Sequence, residues 1–447
     1  MEMVVVTLEK MARGGIYDQI GGGFHRYATD SFWLTPHFEK MLYDNALLSR
    51  VYLNAYLVTG NQLFHTVARE TIDYVVREMT APQGAFYSTQ DADSEGFEGK
   101  YYLWTLQEII EVMGKEEGRI VADYFGVTAG SNFDGQSILH VVKEPGAELS
   151  NIVEEAKTSL LKSRERRVSP GRDEKSLASW NGLMLASLSE AACALGRRDY
   201  LAVAAENGAF LLNSMVRDEL LQHTYANGSS KLDGYLDDYA AVIEGFLTLH
   251  QATLRGEWLR QAIALARVMI TQFWDEAGGV FYDTCERHEG LFVRPKSTFD
   301  SAVPSGVSMA TLVLLKLNRL VDNDEFEHIA VKALGSVREL MSQYPLGFSN
   351  WLCALDFYLS EPREIAVIGS MDDPATSELL HTLCTMWLPN KVVAACDPDN
   401  PTAISGLKLL EGRGMIDNKP TVYICHRYSC QAPVTDPVSL AAQLSGD

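Results

Sequence analysis

The sequence predicts a mainly α-helical fold: an (α/α)6 toroid of six helical hairpins over residues 1–360, followed by a small α/β domain over 361–447. Apolar residues recur at i, i+3, i+4 and i+7 in many segments, which is typical of amphipathic helices. The segments come in pairs joined by only about three residues, and such short linkers make neighbouring helices antiparallel. One member of several pairs is nearly apolar all round, as an inner helix must be. An open helical solenoid is the alternative to a closed ring.

The helices follow one another with glycine, asparagine or aspartate at many of their ends. In chain order they are expected near 1–13, 37–58, 62–79, 105–126, 150–166, 176–195, 199–216, 236–253, 257–274, 304–321, 325–342 and 348–360. Helix 348–360 is expected to pair with 1–13 as the sixth hairpin, and the hairpin of 105–126 and 150–166 is unusually polar. The connections between hairpins are long, and long connections in a compact domain usually have a function.

Beyond residue 360 the pattern changes to short apolar runs that alternate with helical stretches. The runs are 365–369, 391–395 and 421–425, with helices expected at 374–387 and 402–411 between them. Strand–helix–strand alternation favours a small parallel sheet that is covered on both faces. Its lone Gly369 does not form a phosphate-binding glycine loop, so no cofactor is predicted.

Composition excludes several classes of function. Lys and Arg number 38 against 59 Asp and Glu, a formal net charge of −21, which disfavours binding to nucleic acid and to anionic membranes. No apolar run is long enough to span a membrane, and the N-terminus does not have the pattern of a secretory signal. The seven cysteines are scattered and predict no disulfide framework, and the pair Cys425 and Cys430 is interpreted as structural rather than zinc-binding. A reduced, cytoplasmic setting is therefore expected.

The densest polar and aromatic stretch is 14–45, where the glycines at 21–23 allow a tight turn. This turn is expected to present His25 and Arg26 beside Trp33. A helix over 37–58 would place His37 and Asp44 on one face, where they could act as acid and base. A capped helix with a buried, hydrogen-bonded histidine is the alternative. Two tyrosines of the stretch are further candidates for substrate binding, Tyr17 and Tyr43.

A second polar cluster lies in 88–101, with acids at Asp91, Asp93 and Glu95. The cluster lacks the later glycine and glutamate of a calcium loop, so no metal site is predicted. Acids crowded on a loop could instead accept hydrogen bonds from sugar hydroxyls, with solvated loop acids as the alternative.

Three more clusters lie where inner helices are expected to begin. The first has Trp180 and Asn181, a possible stacking platform for a sugar ring, although a core tryptophan fits as well. The second has Asp237 and Asp238, whose charges would also stabilise a helix N-terminus. The third contains the residues Asp300 and Ser305. Since all five clusters fall on long loops or on the N-terminal ends of inner helices, one shared pocket is predicted.

Taken in order, these stretches resemble the family typified by spermatogenesis-associated protein 20 and its bacterial YyaL relatives. The matching strings include GGGFHRY, PHFEKMLYDNA, SWNGLM, LDDYA and AVPSG, and the resemblance extends over nearly the whole chain. It implies a fold like that of six-hairpin glycosidases and N-acylglucosamine 2-epimerases. Family members carry a thioredoxin-like domain ahead of the segment matching Met1. The chain is therefore expected to be a truncated or split member, with a separate thioredoxin-like domain or chain as a candidate partner. Residues 299–301 and 307–308 depart from the family pattern.

Two classes of function follow. The first is a carbohydrate-active enzyme on a sugar-like small molecule, with Trp33 and Trp180 stacking the ring. In an epimerase- or isomerase-like version, His25 or His37 would abstract a proton, and in a glycosidase-like version two carboxylates would flank the bond, Asp44 with Asp237 or Asp300. The second is a non-catalytic module that binds a sugar or a partner and works with a thioredoxin-like domain.

Overall fold

The chain folds as two compact units in a computed structural model that describes residues 1–128, 130–143, 146–287, 292–370, 372–398, 407–427 and 429–446. The first unit comprises 1–81 and 86–174, and the second comprises 82–85 and 175–447. Helices make up most of the secondary structure of both, so the predicted mainly α fold of helical hairpins is confirmed. No helix among the described residues is long and apolar enough to cross a membrane.

The first unit contains six helices and seven very short strands within its described part. The helices are α1 (Glu2–Arg13), α2 (Leu42–Thr59), α3 (Gln62–Glu78), α4 (Leu106–Met113), α5 (Lys115–Tyr124) and α6 (Ala147–Arg164). The strands are β1 (Tyr27–Ala28), β2 (Pro36–His37), β3 (Lys40–Met41), β4 (Thr89–Gln90), β5 (Asp93–Ser94), β6 (Phe97–Glu98) and β7 (Arg172–Asp173). Helices α2 and α3 form a hairpin, and α4, α5 and α6 enclose a separate apolar core.

Two predictions for this unit were wrong. Helix α2 begins at Leu42 rather than at 37, because the preceding residues pair in strands: His37 with Tyr27, and Lys40 with Gln90. The helix expected over 105–126 is two helices, since Gly114 has a φ of 82° and ends α4. A left-handed backbone of this kind favours glycine and interrupts a helix.

The second unit is built on successive helical hairpins. Its helices are α7 (Ala178–Ala194), α8 (Arg198–Phe210), α9 (Leu236–Thr253), α10 (Gly256–Phe273), α11 (Gly306–Val321), α12 (Asp324–Ser336), α13 (Arg338–Gln343), α14 (Ser349–Leu359), α15 (Pro374–Thr385) and α16 (Pro437–Ser445). Its strands are β8 (Ser176–Leu177), β9 (Val216–Arg217), β10 (Leu220–Ala226), β11 (Ser229–Asp233), β12 (Trp274–Asp275), β13 (Val280–Phe281), β14 (Arg363–Ile368), β15 (Lys391–Cys396), β16 (Thr421–His426) and β17 (Ser429–Cys430).

The inner helices α7, α9 and α11 pack side by side, and each pairs with a more exposed outer helix, α8, α10 or α12. Glycine permits the closest approach. A methyl group at Gly182 would lie 2.5 Å from the Ala241 carbonyl carbon, and one at Gly306 would lie 2.9 Å from the Asp237 nitrogen. Both distances are below van der Waals contact, so a larger residue would push α7 or α11 away from α9.

The C-terminal segment forms a four-stranded sheet in the order β15–β14–β16–β17. Strands β14 and β15 are parallel, but β14 and β16 are antiparallel, so the prediction of a parallel sheet was wrong for β16. The helix expected over 402–411 lies partly outside the described residues, and only a short 3-10 turn, Lys408–Leu410, is seen there. The boundary predicted at 360/361 stays a prediction.

The second unit also contains two disulfide bonds, which the sequence did not lead us to expect. Cys193 of α7 is bonded to Cys384 of α15, and Cys425 is bonded to Cys430 across the β16–β17 hairpin. The first bond joins residues 191 positions apart in the chain, a separation from which sequence spacing predicts no pairing.

Candidate active site

In the first unit, a cluster of acids and an arginine surrounds the N-terminal end of α2. Asp44 lies in the first helical turn, and its Oδ2 is buried with no hydrogen-bond partner among the described residues. Burial raises the pKa of Asp44 to about 7, with the charge of Glu39 adding to the effect and that of Arg26 opposing it. Tyr43 hydrogen-bonds both Arg26 and Asp44. The predicted group Arg26, Tyr43 and Asp44 is therefore brought together, with a carboxyl that can exchange a proton near neutral pH.

His37 lies beside this cluster on β2, not on the helix face that the sequence predicted. Its Nδ1 is 2.7 Å from Oε1 of Glu98, and its Nε2 is 3.7 Å from Oε2 of Glu39. The ring also stacks on Tyr27, with centroids 5.1 Å apart. With Nδ1–H donated to Glu98, the ring is held in place and Nε2 faces Glu39. Strand pairing, not helical spacing, sets the position of His37.

His25 is enclosed by protein. It is 2% exposed, its Nδ1 lies 2.8 Å from the Phe38 carbonyl oxygen, and its ring meets Phe38 and Tyr102 edge-on. Burial, reinforced by the charge of Lys40, lowers the pKa of His25 to about 3. The side chain is therefore neutral at physiological pH and out of reach of a substrate. This geometry matches the alternative interpretation, in which the histidine is buried and hydrogen-bonded within the fold.

Below the glycine turn lies a buried ion cluster that sequence reasoning missed. Asp18 accepts hydrogen bonds from Lys40 Nζ and Arg164 Nη1, both at 2.8 Å, and all three side chains are nearly inaccessible. Lys40 also donates to the Gly22 carbonyl at 2.9 Å, and Gly22 has a φ of 73°. Burial raises the pKa of Asp18, but the two cations outweigh it and hold the pKa well below its usual range. The cluster fixes the turn that leads to Arg26.

The remaining candidate residues of the first unit are Tyr17, Trp33, Asp91 and Asp93, and their described contacts are mainly with the surrounding fold. Tyr17 is buried and donates to Glu70 Oε2 at 2.7 Å, so its hydroxyl faces the interior. Trp33 is partly buried at a turn with a φ of 62°. Asp91 and Asp93 are exposed, and Asp93 pairs with Glu98 in the β5–β6 hairpin. The acidic loop thus presents Glu98 to His37.

In the second unit, a buried aspartate ties two inner helices together at their N-terminal ends. Oδ1 of Asp238 accepts from the Ser179 backbone N–H of α7 at 2.9 Å. Its Oδ2 accepts from the Tyr235 N–H and lies next to Nδ1 of His223, both at 2.8 Å. Strand β10, which carries His223, reaches this position because it pairs with β8 just ahead of α7.

Next to this aspartate are two groups whose pKa values are raised by their surroundings. Burial raises the pKa of Asp237 to about 7, with the charge of Asp238 adding to the effect, while Ser179 hydrogen-bonds the Asp237 carboxyl. Burial would lower the pKa of His223, but its hydrogen bond to Asp238 and the charge of that residue outweigh burial and raise it. His223 is 23% exposed at its side chain. This arrangement places the Asp237 carboxyl and an oriented imidazole next to the Asp238 side chain.

Asp300 and Ser305 lie at the start of α11. Ser305 caps the helix by accepting from the Ser308 N–H. Oδ1 of Asp300 accepts from the Ser305 N–H at 2.9 Å and the Ser308 hydroxyl at 2.8 Å, and Oδ2 accepts from the Asn350 N–H at 2.8 Å. The carboxylate therefore joins α11 to α14, and its engagement favours a structural role over the predicted catalytic one.

Trp180 and Asn181 point to different surroundings. Asn181 is fully buried, donates to the Leu177 carbonyl and accepts from Asn207, each at 2.9 Å. Both ends of the amide are engaged inside the protein, which favours a structural role for Asn181 over the predicted contact with a sugar. Trp180 is partly exposed and follows Ser179 in the first turn of α7, and its role in stacking a sugar stays a prediction.

Sequence reasoning missed His223, Glu39 and Glu98. The two glutamates lie inside stretches that it singled out, at positions that strand pairing brings to His37. His223 occurs in an ordinary alternating strand, and no local signal marks it. Among the described residues, no group of three or more His, Cys, Asp or Glu is arranged to hold a metal ion.

No protein-family model matches the chain. It is 32% identical over 98% of its length to spermatogenesis-associated protein 20 of Homo sapiens, and to that of Rattus norvegicus to the same extent. The chain spans 62% of the length of these relatives.

Among solved structures, it is similar to a sugar epimerase from a ruminal bacterium, with a TM-score of 0.49 and 11% identity over 75% of this chain and 72% of that one. Cellobiose 2-epimerase from Bacillus thermoamylovorans gives a TM-score of 0.49 and 9% identity over 76% and 73% of the two chains.

Proposed function

We propose, from the premise that this chain belongs to the spermatogenesis-associated protein 20 family, that it is a carbohydrate-active enzyme of the sugar epimerase or isomerase type. One observation carries the proposal: Asp237 and His223 both lie next to Asp238, and the pKa of each is raised, that of Asp237 to about 7. Acid–base catalysis is most efficient when the pKa of each group lies near the working pH. Environments that tune neighbouring titratable groups in this way are typical of active sites.

In the proposed reaction each side chain has one role. Asp238 holds Nδ1–H of His223, so Nε2 is free to take a proton from a carbon next to the carbonyl of an opened sugar. Asp237, protonated near pH 7, donates its proton to the carbonyl oxygen as negative charge develops there. The N-terminal ends of α7 and α9 lie at the same place, and their dipoles stabilise that charge.

Return of the proton completes the reaction. Delivery to the opposite face of the same carbon inverts its configuration, and delivery to the neighbouring carbon converts an aldose to a ketose. Trp180, adjacent to Ser179, would stack the sugar ring. In the first unit, two further groups suit proton transfer: Asp44, whose pKa burial raises to about 7, and His37, whose Nδ1 lies next to Glu98.

A glycosidase-like reaction requires two carboxyl groups free to face one bond. Asp300 has both oxygens engaged by α11 and α14, which makes it a poor nucleophile or base. The oriented imidazole of His223 has no part in the two-carboxylate mechanism. Proton transfer next to a carbonyl is therefore the better match to the described contacts.

The test is exchange of carbon-bound hydrogen in D₂O, followed by proton NMR, for a panel of unmodified aldoses, ketoses and cellobiose. We expect deuterium at the carbon next to the carbonyl, together with the epimer or isomer. His223→Gln and Asp237→Asn should each lower the rate about 100-fold or more. His381→Gln, an exposed histidine of α15, is the matched control and should retain full rate.

Two results would contradict the proposal. Unchanged exchange in both active-site variants would remove the assigned roles. Tight binding of a sugar by calorimetry, with no exchange and no hydrolysis, would instead identify a non-catalytic binding module.

A further inference from the structure

The C-terminal sheet carries a disulfide whose two sulfurs share one arginine. Cys425 and Cys430 face each other across the β16–β17 hairpin. Nη2 of Arg413 lies 3.3 Å from Sγ of Cys425 and 2.9 Å from Sγ of Cys430. The neighbouring Gly414 carbonyl accepts a 2.7 Å hydrogen bond from the Tyr423 hydroxyl, which holds this segment against β16. A guanidinium next to sulfur stabilises the thiolate form.

The two sulfurs differ in access. Cys425 is completely buried in strand β16, whereas Cys430 is exposed on the edge strand β17. An incoming thiolate can reach Cys430, so Cys425 is the leaving group. Exchange is faster when the leaving thiolate is stabilised, and Arg413 is placed to do this.

We propose that Cys425–Cys430 is a thiol–disulfide exchange site that accepts two electrons from an external dithiol. The thiolate of the dithiol attacks Sγ of Cys430, the Cys425–Cys430 bond breaks, and Cys425 leaves as a thiolate beside Arg413. The second thiol of the reagent then attacks the mixed disulfide and releases Cys430. The dithiol is oxidised to a disulfide, the cysteine pair is reduced, and the two protons of the dithiol pass to the two cysteines.

The same unit contains an internal comparison. Cys193–Cys384 joins two helices, both cysteines are only partly exposed, and the described contacts of Cys193 include the Leu380 carbonyl. Within the part of the chain that the structure describes, neither sulfur accepts a hydrogen bond from an arginine or a lysine. The proposal therefore requires the two disulfides to behave differently towards one reductant.

The experiment uses the full chain in dithiothreitol buffers of graded potential, with differential alkylation and peptide mass spectrometry at each cysteine. We expect the Cys425–Cys430 disulfide to be reduced already in buffers of less negative potential than those needed to reduce Cys193–Cys384. Arg413→Met should slow reduction of the hairpin disulfide about threefold or more, whereas Arg413→Lys should largely retain the rate. Arg427→Met, in the turn between the two cysteines, is the matched control and should react as wild type.

The proposal would be overturned by reduction of both disulfides at one potential, or by equal rates in Arg413→Met and Arg427→Met. Thermal unfolding of the oxidised variants shows whether a slower rate reflects the lost guanidinium rather than a disturbed sheet. Melting temperatures equal to wild type, together with the slower rate, support the role of Arg413. If Arg413→Met has a low melting temperature, Arg413→Lys becomes the test. Reduction of the disulfide in Arg413→Lys as slow as in Arg413→Met would then contradict the proposal. The readout is independent of sugar turnover.

Discussion

Asp238 offers the sharpest test of how the second unit organises its site. Its side chain is fully buried and accepts from the Ser179 N–H, the Tyr235 N–H and His223. In Asp238→Asn the amide has one oxygen for donors on both sides, so its NH₂ group faces at least one backbone N–H. Hydrogen bonds to a charged acceptor contribute roughly 1.5–3 kcal/mol each, and we expect a loss of about 3 kcal/mol in the free energy of unfolding.

The variant should also change the titration of two neighbours. The hydrogen bond and charge of Asp238 raise the pKa of His223, and its charge contributes to the raised pKa of Asp237. Both pKa values should therefore fall in Asp238→Asn. A histidine whose folded pKa is raised contributes stability that is present below its unfolded pKa and is lost as pH rises through the folded pKa. The loss of stability on raising the pH through neutrality should shrink in the variant.

The assay combines urea unfolding between pH 5 and 8.5 with NMR titration of the His223 ring proton. Asp233→Asn is the control, because this partly exposed acid of β11 contacts only the Gln222 amide, at 3.3 Å, among its described side-chain partners. It should change the free energy of unfolding by less than about 0.5 kcal/mol. An unchanged His223 titration in Asp238→Asn would refute the assignment of Asp238 as the orienting group.

Three further predictions concern other parts of the structure. Asp18→Asn should lower the free energy of unfolding, measured in urea above pH 4, by about 3–5 kcal/mol, because it leaves Lys40 and Arg164 buried without their counter-ion. Since the folded pKa of Asp18 is lowered, the difference from wild type should shrink as pH falls below 4, and a difference that stays constant would contradict the prediction. Gly182→Ala should lower the free energy of unfolding in urea by about 1–3 kcal/mol, because its methyl group would meet the Ala241 backbone. Gly335→Ala, with open space around it, should be neutral or slightly stabilising, and equal effects of the two variants would refute the packing argument. Asp44→Asn should raise the free energy of unfolding at pH 8 by roughly 1–3 kcal/mol and leave it unchanged at pH 3. The reason is that an acid with a raised folded pKa destabilises the fold once it ionises. An unchanged free energy of unfolding at pH 8 would show that the Asp44 carboxyl is solvated.

The helical framework could be predicted from sequence because its signals are local. Apolar periodicity and end signals such as Asn61 and Ser305, which both cap their helices, lie within a few residues of what they specify. The same reasoning placed Trp180 and Asp237 near the N-terminal ends of inner helices, and the structure has them there. Asp44, expected about two turns into a helix over 37–58, lies in the first turn of α2. It failed at His37, where pairing with Tyr27 and not helical propensity sets the backbone.

By itself, then, the sequence determined most of the helices, several of their hairpins, and some of the polar residues that stand at helix ends. Only the tertiary structure decided which of these residues have shifted pKa values, because the shifts depend on burial and on partners distant in the chain. His223 lies 15 residues from Asp238, and His37 lies 61 from Glu98, and no spacing rule connects such positions. Asp300 and Asn181 show the converse, since contacts with Asn350 and Asn207 turn two promising side chains into supports of the fold.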